Sequence, residues 1–413
     1  MWPRRVLTIF LGLAFYAQAI LAQAPPVAPH WVGSWAAAQQ APEANNSLAP
    51  GDLRDATLRQ VVHLSIGGEV LRVRISNAFG TAPLEFTSVH VARPAAAGSA
   101  RIDASTDRAL TFSGRPSVTI PAGADYVSDP IAFAVEAQSD LAVTFHVGES
   151  PTVQTSHPGS RATSYLVHGD RVADADLPGA ISFEHWFNIS GVEVNASSGA
   201  GIVTLGDSIT DGRGSTTNGN DRWPDDLARR LRTALPTRCL AVLNQGIGGN
   251  RLLRDGLGPN ALARFDRDVL AQPGVRYLIV LEGINDIGAF GLEGNTAQAA
   301  HDHLVHSVFA AYEQIVARAH SHGIRAYGGT LTPFTGSAYS KPGPASEADR
   351  NAVNQWIRAP GHFDAVIDFD KAIRDPRQPE MLLPAYDSGD HIHPSPAGYR
   401  AMANAIPLAD FTP

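Results

Sequence analysis

Ile202-Val203-Thr204-Leu205-Gly206-Asp207-Ser208-Ile209-Thr210-Asp211 is the stretch on which the reading of this chain turns. An apolar run stops at a glycine, and a polar turn follows with a serine in it. A run that is apolar on both faces is the pattern of a strand buried in a parallel sheet. A serine at the carboxyl end of such a strand stands where function gathers in open α/β sheets.

The same alternation continues towards the C-terminus. Leu240-Ala241-Val242-Leu243 and Tyr277-Leu278-Ile279-Val280-Leu281 are further apolar strands, followed by residues 324–331 and by Ala365-Val366-Ile367-Asp368. Between them, 3.6-residue patterning predicts helices over 221–234, 296–320 and 346–357. Repeated strand–helix units predict a three-layer α/β sandwich with a flavodoxin-like parallel sheet over residues 201–413.

Residues 30–195 read differently. Glu69-Val70-Leu71-Arg72-Val73-Arg74-Ile75 nearly alternates apolar and charged side chains, and short strands recur at intervals of roughly ten residues. An all-β sandwich is expected there. The small, polar residues 196–200 read as the linker between the halves. Residues 1–24 have the three parts of a secretory signal peptide: two arginines, an apolar run from Val6 to Ala22, then small residues, with cleavage expected after Ala22. The mature protein is accordingly expected to be secreted or periplasmic, without stable insertion in a membrane.

Composition bounds the function. The chain has 413 residues, 44% of them hydrophobic and 17% charged, which excludes a largely disordered protein. A net charge of −8 argues against a nucleic-acid-binding surface. One cysteine excludes an internal disulfide and a multi-cysteine zinc site. That residue, Cys239, reads as part of a buried strand.

Four strand ends carry chemical residues. Besides Ser208 there is Asn244-Gln245-Gly246-Ile247-Gly248-Gly249-Asn250, whose glycines let backbone N–H groups approach a ligand. Glu282-Gly283-Ile284-Asn285-Asp286 places an amide donor after the most apolar strand, suited to polarising a carbonyl. Asp390-His391-Ile392-His393-Pro394-Ser395-Pro396 precedes a helix that Ser395 caps. There Asp390 can bond Nδ1 of His393 while Nε2 faces a hydroxyl. His391 competes as the base, and a zinc site on His391 and His393 is a rival reading with no further close ligand spacing.

In this order, the four blocks resemble those of the SGNH (GDSL-type) hydrolase superfamily. The resemblance implies a serine-dependent carboxylic ester hydrolase with Ser208 as nucleophile, His393 as base and Asp390 as its orienting carboxylate. The implied oxyanion hole comprises the N–H groups of Ser208 and Gly249 and the amide of Asn285, with Gly248 as the alternative to Gly249. Asp207 is read as a brace for the loop. No metal or organic cofactor is called for. Trp31-Val32-Gly33-Ser34-Trp35-Ala36 and residues 58–80 are similar to the leading region of exported bacterial two-domain members. The substrate left open is a small-molecule or polysaccharide ester: acetylated carbohydrate, or short-acyl or lipid ester. The alternatives are a non-catalytic glycan-binding protein and an acyltransferase using the same triad.

Other conspicuous residues have plainer readings. His301, His303 and His306 are expected on a solvated helix face rather than around a metal. Trp31, Trp35 and Trp186 are expected in a core or domain interface, with a sugar-stacking platform as the competing view. Asn45, Asn188 and Asn195 each begin an Asn-x-Ser triplet.

Overall fold

The computed structural model describes Met1 and residues 29–411. The rest of the expected signal region therefore lies outside the described residues.

The N-terminal half builds two large antiparallel sheets and a two-stranded one, Ser156–His157 with Trp186–Phe187. Of the large sheets, one orders the strands Trp31–Ala36, Ile189–Asn195, Gly68–Ser76 and Asp125–Val127, with Ile131–Val135 also on Gly68–Ser76. The other centres on Ala56–Leu64, Ser139–Val147 and Leu84–Ala92. Alternation does what the sequence requires. Leu71, Val73 and Ile75 point into a core shared with Leu58, Val62 and Phe145 of the other sheet. Arg72 and Arg74, on the opposite face, both pair with Glu193 on the neighbouring strand, at 2.5 and 2.7 Å. Trp35 and Trp186 are buried edge to face with centroids 4.9 Å apart, and the Trp186 indole donates to the Val61 carbonyl. Such a pair contributes about 0.5–1.5 kcal/mol beyond its buried area. These two rings are core, and no sugar can stack on them.

The C-terminal half is a parallel sheet ordered Leu240–Gly246, Ala200–Gly206, Val275–Leu281, Arg325–Gly329, Ala365–Ile367. In chain order this is 2-1-3-4-5, the flavodoxin-like arrangement. The expected helices form over Trp223–Arg232, Gln298–Ser321 and Pro344–Arg358. Two local expectations fail. Cys239 lies in the turn before Leu240–Gly246 and is only partly buried, because the strand begins one residue later. His301 is not solvated: it is buried with Nδ1 2.6 Å from Asp349 of the neighbouring helix, so that side of the helix faces protein.

The halves are packed together. Residues 196–199 form a turn fixed by the Ala196 N–H on the His30 carbonyl and by the His30 ring on Gly199. Strand Trp31–Ala36 lies along Leu240–Gly246, so closely that a Cβ added at Gly33 would stand 2.8 Å from the Leu243 side chain. The Val242 N–H, on the outer edge of the parallel sheet, donates to the Ser65 hydroxyl at 3.1 Å. An unpaired sheet edge is thereby covered.

Candidate active site

The nucleophile turn begins where strand Ala200–Gly206 stops. Asp207 caps a one-turn helix, Ser208–Asp211, accepting from the Ile209 N–H at 2.9 Å. The bracing role read for Asp207 is what its geometry performs. The turn sits hard on the adjoining strands. A Cβ at position 206 would meet Thr210 Oγ1 at 2.2 Å and the Leu281 carbonyl at 2.5 Å, so only glycine fits there.

The last loop delivers the base. Asp390 Oδ1 accepts the backbone N–H groups of Ile392 and His393 at 3.2 and 2.9 Å, and its Oδ2 lies 2.6 Å from His393 Nδ1. His393 Nε2 lies 2.8 Å from Ser208 Oγ. Partial burial pushes the Asp390 carboxyl upward, but the hydrogen bonds from the His393 ring and from the backbone N–H groups outweigh it, holding the acid well below the usual carboxylate range. An ionised carboxylate accepts only, so Nδ1 carries the proton and Nε2 presents its lone pair to the serine. The Ser395 hydroxyl caps the following helix on the Gly398 N–H, as its sequence position predicts. His391 is not brought to the serine. It has a left-handed backbone at φ 65°, and its Nδ1 reaches back 2.6 Å to Asp387.

Asn285 and the glycine loop complete this wall. Asn285 Nδ2 donates to the Asn250 carbonyl at 3.0 Å, which fixes the plane of the amide. Asp286 accepts the N–H groups of Leu252 and Leu253 at 2.8 and 3.0 Å, tying the asparagine block to the loop that follows Gly249. Ser208, Gly248, Gly249, Asn285 and His393 all line one cavity of about 390 Å³.

Beneath the turn lies a buried charge cluster. Arg264, fully buried, donates to Asp268 at 3.0 Å and to the Gln245 and Gly206 carbonyls at 2.6 and 3.0 Å. Glu282, also fully buried, is 3.8 Å from the same guanidinium, and neither of its oxygens has a hydrogen-bond partner. Desolvation, with repulsion from Asp207, drives its carboxyl well above the ordinary value. Desolvation likewise raises Asp207 to about 7 and Asp286 to about 6, against the N–H groups they accept. Asp268 already balances the arginine, so the 3.8 Å approach of Arg264 does not offset the desolvation of Glu282.

Residues 204–401 match the family model described as "GDSL-like Lipase/Acylhydrolase family". The C-terminal domain belongs to the SGNH (GDSL-type) hydrolase superfamily. That family comprises lipases and acylhydrolases, which places the domain among ester hydrolases. No curated protein matches the chain. Among solved structures, the SGNH domain is similar to an acetyl xylan esterase from Geobacillus stearothermophilus, with 22% identity over 52% of this chain and 94% of that one, TM-score 0.38. An alpha/beta hydrolase enzyme from the metagenome of Lake Arreo, Spain, gives 23% identity over 52% and 96%, TM-score 0.38. A GDSL-like lipase from Bacteroides thetaiotaomicron gives 19% over 51% and 87%, TM-score 0.36.

What sequence reasoning missed is the second wall of the SGNH cavity. Arg161, Glu184 and His185 line it from the β domain. Behind them, His157 Nε2 lies 2.9 Å from Asp211 Oδ1 on the nucleophile turn, while its Nδ1 lies 2.8 Å from the Ala38 carbonyl. A Cβ on Gly159 would stand 1.8 Å from Asp211 Oδ2, so glycine is required where the domains meet. His157-Pro158-Gly159-Ser160-Arg161 reads as an ordinary turn, and no periodicity connects it to a serine in the other half.

Proposed function

We propose that the chain is an exported serine ester hydrolase that forms a covalent acyl-enzyme on Ser208. The observation that carries this reading is the continuous hydrogen-bond chain from Asp390 through His393 to Ser208 Oγ. As Oγ bonds to the ester carbonyl carbon, His393 Nε2 takes the hydroxyl proton and Asp390 stabilises the resulting imidazolium. The carbonyl oxygen, now negative, is received by the N–H groups of Ser208 and Gly249 and by the Asn285 amide. Collapse of the tetrahedral intermediate expels the alcohol, which leaves with the proton from Nε2. Water, deprotonated by the same nitrogen, then attacks the acyl carbon and releases the acid, and Ser208 regains its proton.

The favoured substrates are short-acyl esters of polar alcohols, carbohydrates among them. The cavity supports this: Glu43, Arg161, Glu184 and Arg213 line it together with the apolar Leu257 and Ile392, and at about 390 Å³ it has room for a small acyl group and one ring. Export rests on the charged, apolar and small-residue pattern of residues 1–24. Among the described residues no helix is long and apolar enough to cross a membrane. The test is hydrolysis of 4-nitrophenyl acetate, butyrate and octanoate by the wild type beside Ser208→Ala. Activity that survives the substitution overturns the serine assignment. A rate rising steadily to octanoate overturns the short-acyl assignment.

A further inference from the structure

We infer that Arg161, supplied by the β domain, binds a carboxylate carried by the substrate in addition to its scissile ester. This rests on the ester-hydrolase reading and goes beyond it, naming the substrate as an acidic ester. Arg161 lines the cavity that contains Ser208 and His393. Among the described residues its guanidinium has no carboxylate within 4.0 Å and no hydrogen-bond acceptor, and its Nε is buried without a partner. The fully buried Arg264 and Arg350 are saturated by acceptors, whereas the partly buried Arg161 has none, and its Nε, like those of Arg74, Arg232 and Arg251, is buried without one. A guanidinium donates only, so the group that completes it must accept, and a carboxylate matches its fork in charge and geometry.

The backbone points the same way. Arg161 has φ 49°, a left-handed conformation rare for a long side chain. It is held there from the other domain. The Asn218 N–H donates to the Arg161 carbonyl at 2.9 Å, and the Asn218 side chain bonds the Thr163 N–H and hydroxyl, each at 2.8 Å. Strain and an unpartnered polar atom thus converge on one residue facing the reaction cavity, where such strain characteristically serves function.

Three carboxylates also line the cavity, and each is already held within the protein rather than by Arg161. Glu43 is occupied by the Gln40 and Asn46 amides at 2.8 and 2.7 Å, and Glu184 by the Thr217 hydroxyl at 3.1 Å. Asp211 is engaged by His157. Arg213, the second cation of the cavity, donates to the Tyr339 hydroxyl at 2.7 Å and likewise has no carboxylate partner.

The substrate carboxylate can lie on the alcohol or on the acyl side, and two paired assays separate these. The first compares O-acetylated glucuronic acid with O-acetylated glucose. The second compares the 4-nitrophenyl monoester of succinic acid with 4-nitrophenyl butyrate. In one pair the acidic ester is expected to have at least ~10-fold higher kcat/KM, chiefly through KM, because a donor left unpaired by the neutral analogue discriminates strongly. Arg161→Gln should collapse that ratio, Arg161→Lys should retain part of it, and raising salt should weaken it in the wild type without any substitution. Turnover of the neutral esters with no acidic preference in either pair overturns the inference and leaves the hydrolase reading standing. A preference that Arg161→Gln leaves unchanged also overturns it. If none of the esters is turned over, the hydrolase reading itself fails and the inference falls with it.

Discussion

His391 and His393 stand two residues apart in one loop, and each has Nδ1 2.6 Å from an aspartate. His393 is buried, with Nε2 on Ser208 Oγ at 2.8 Å. The His391 side chain is 48% exposed and turns back to Asp387 within its own loop. Two imidazole–carboxylate pairs of equal length therefore sit side by side, and only one can do acid–base work on the serine. The carboxylate orients the ring; what the other nitrogen touches decides the use of the pair.

The largest effect belongs to the buried pair: Ser208→Ala and His393→Ala should each lower kcat by about 10⁴–10⁶ on 4-nitrophenyl acetate. Next comes the charge-receiving wall, where Asn285→Ala should cost about 10²–10³ in kcat with little change in KM, since a donor to the developing oxyanion acts in the transition state. The smallest effect belongs to the exposed pair, with His391→Ala expected to stay within about 3-fold of wild type in kcat/KM. A dead His391 variant beside an active His393 variant would exchange their roles.

A further contrast, between satisfied and unsatisfied carboxyls, is read by stability rather than rate. Asp390 is held low by its hydrogen-bond partners, whereas Glu282 is fully buried with no hydrogen bond on either oxygen and is held high. The native state thus keeps a proton on Glu282 that the unfolded chain releases near roughly pH 4.3. Bound protons then favour the folded form at low pH, and this contribution fades as pH rises from that point through the folded value. Asp207, raised to about 7, acts in the same sense. Thermal melts from pH 5 to pH 8 should show a falling Tm in the wild type and a shallower fall in Glu282→Gln, whose amide cannot ionise. An equal fall in both proteins would move the origin of the effect away from Glu282.

Much of the hydrolase half was legible because its signals are local. The apolar run before Gly206 is a strand buried on both faces, and Gly206 is demanded by a contact only a few residues away, Thr210. Helix Pro344–Arg358 and the Ser395 cap follow from patterning and cap chemistry within one or two turns. The failures are non-local. Nothing near His301 announces Asp349, 48 residues on. Glu282 reads as a turn residue until Arg264 and Asp207 are seen buried beside it. The β domain was equally opaque as to role. Its strands are written in alternation, but its contact with the reaction cavity depends on the packing of Trp31–Ala36 along Leu240–Gly246.

Local sequence settles the chain order of the chemical blocks, the residue types that reach each strand end, and the two periodicities that divide the chain. Those are set by side-chain polarity and by glycine and proline stereochemistry, which act over a few residues. Long-range packing sets which histidine meets Ser208, buries an acid without a hydrogen bond beneath it, and brings Arg161 of the other domain into the lining of the same cavity. Those outcomes depend on surfaces brought together from distant parts of the chain, where burial sets the worth of a charge and a gap of one ångström separates a hydrogen bond from none.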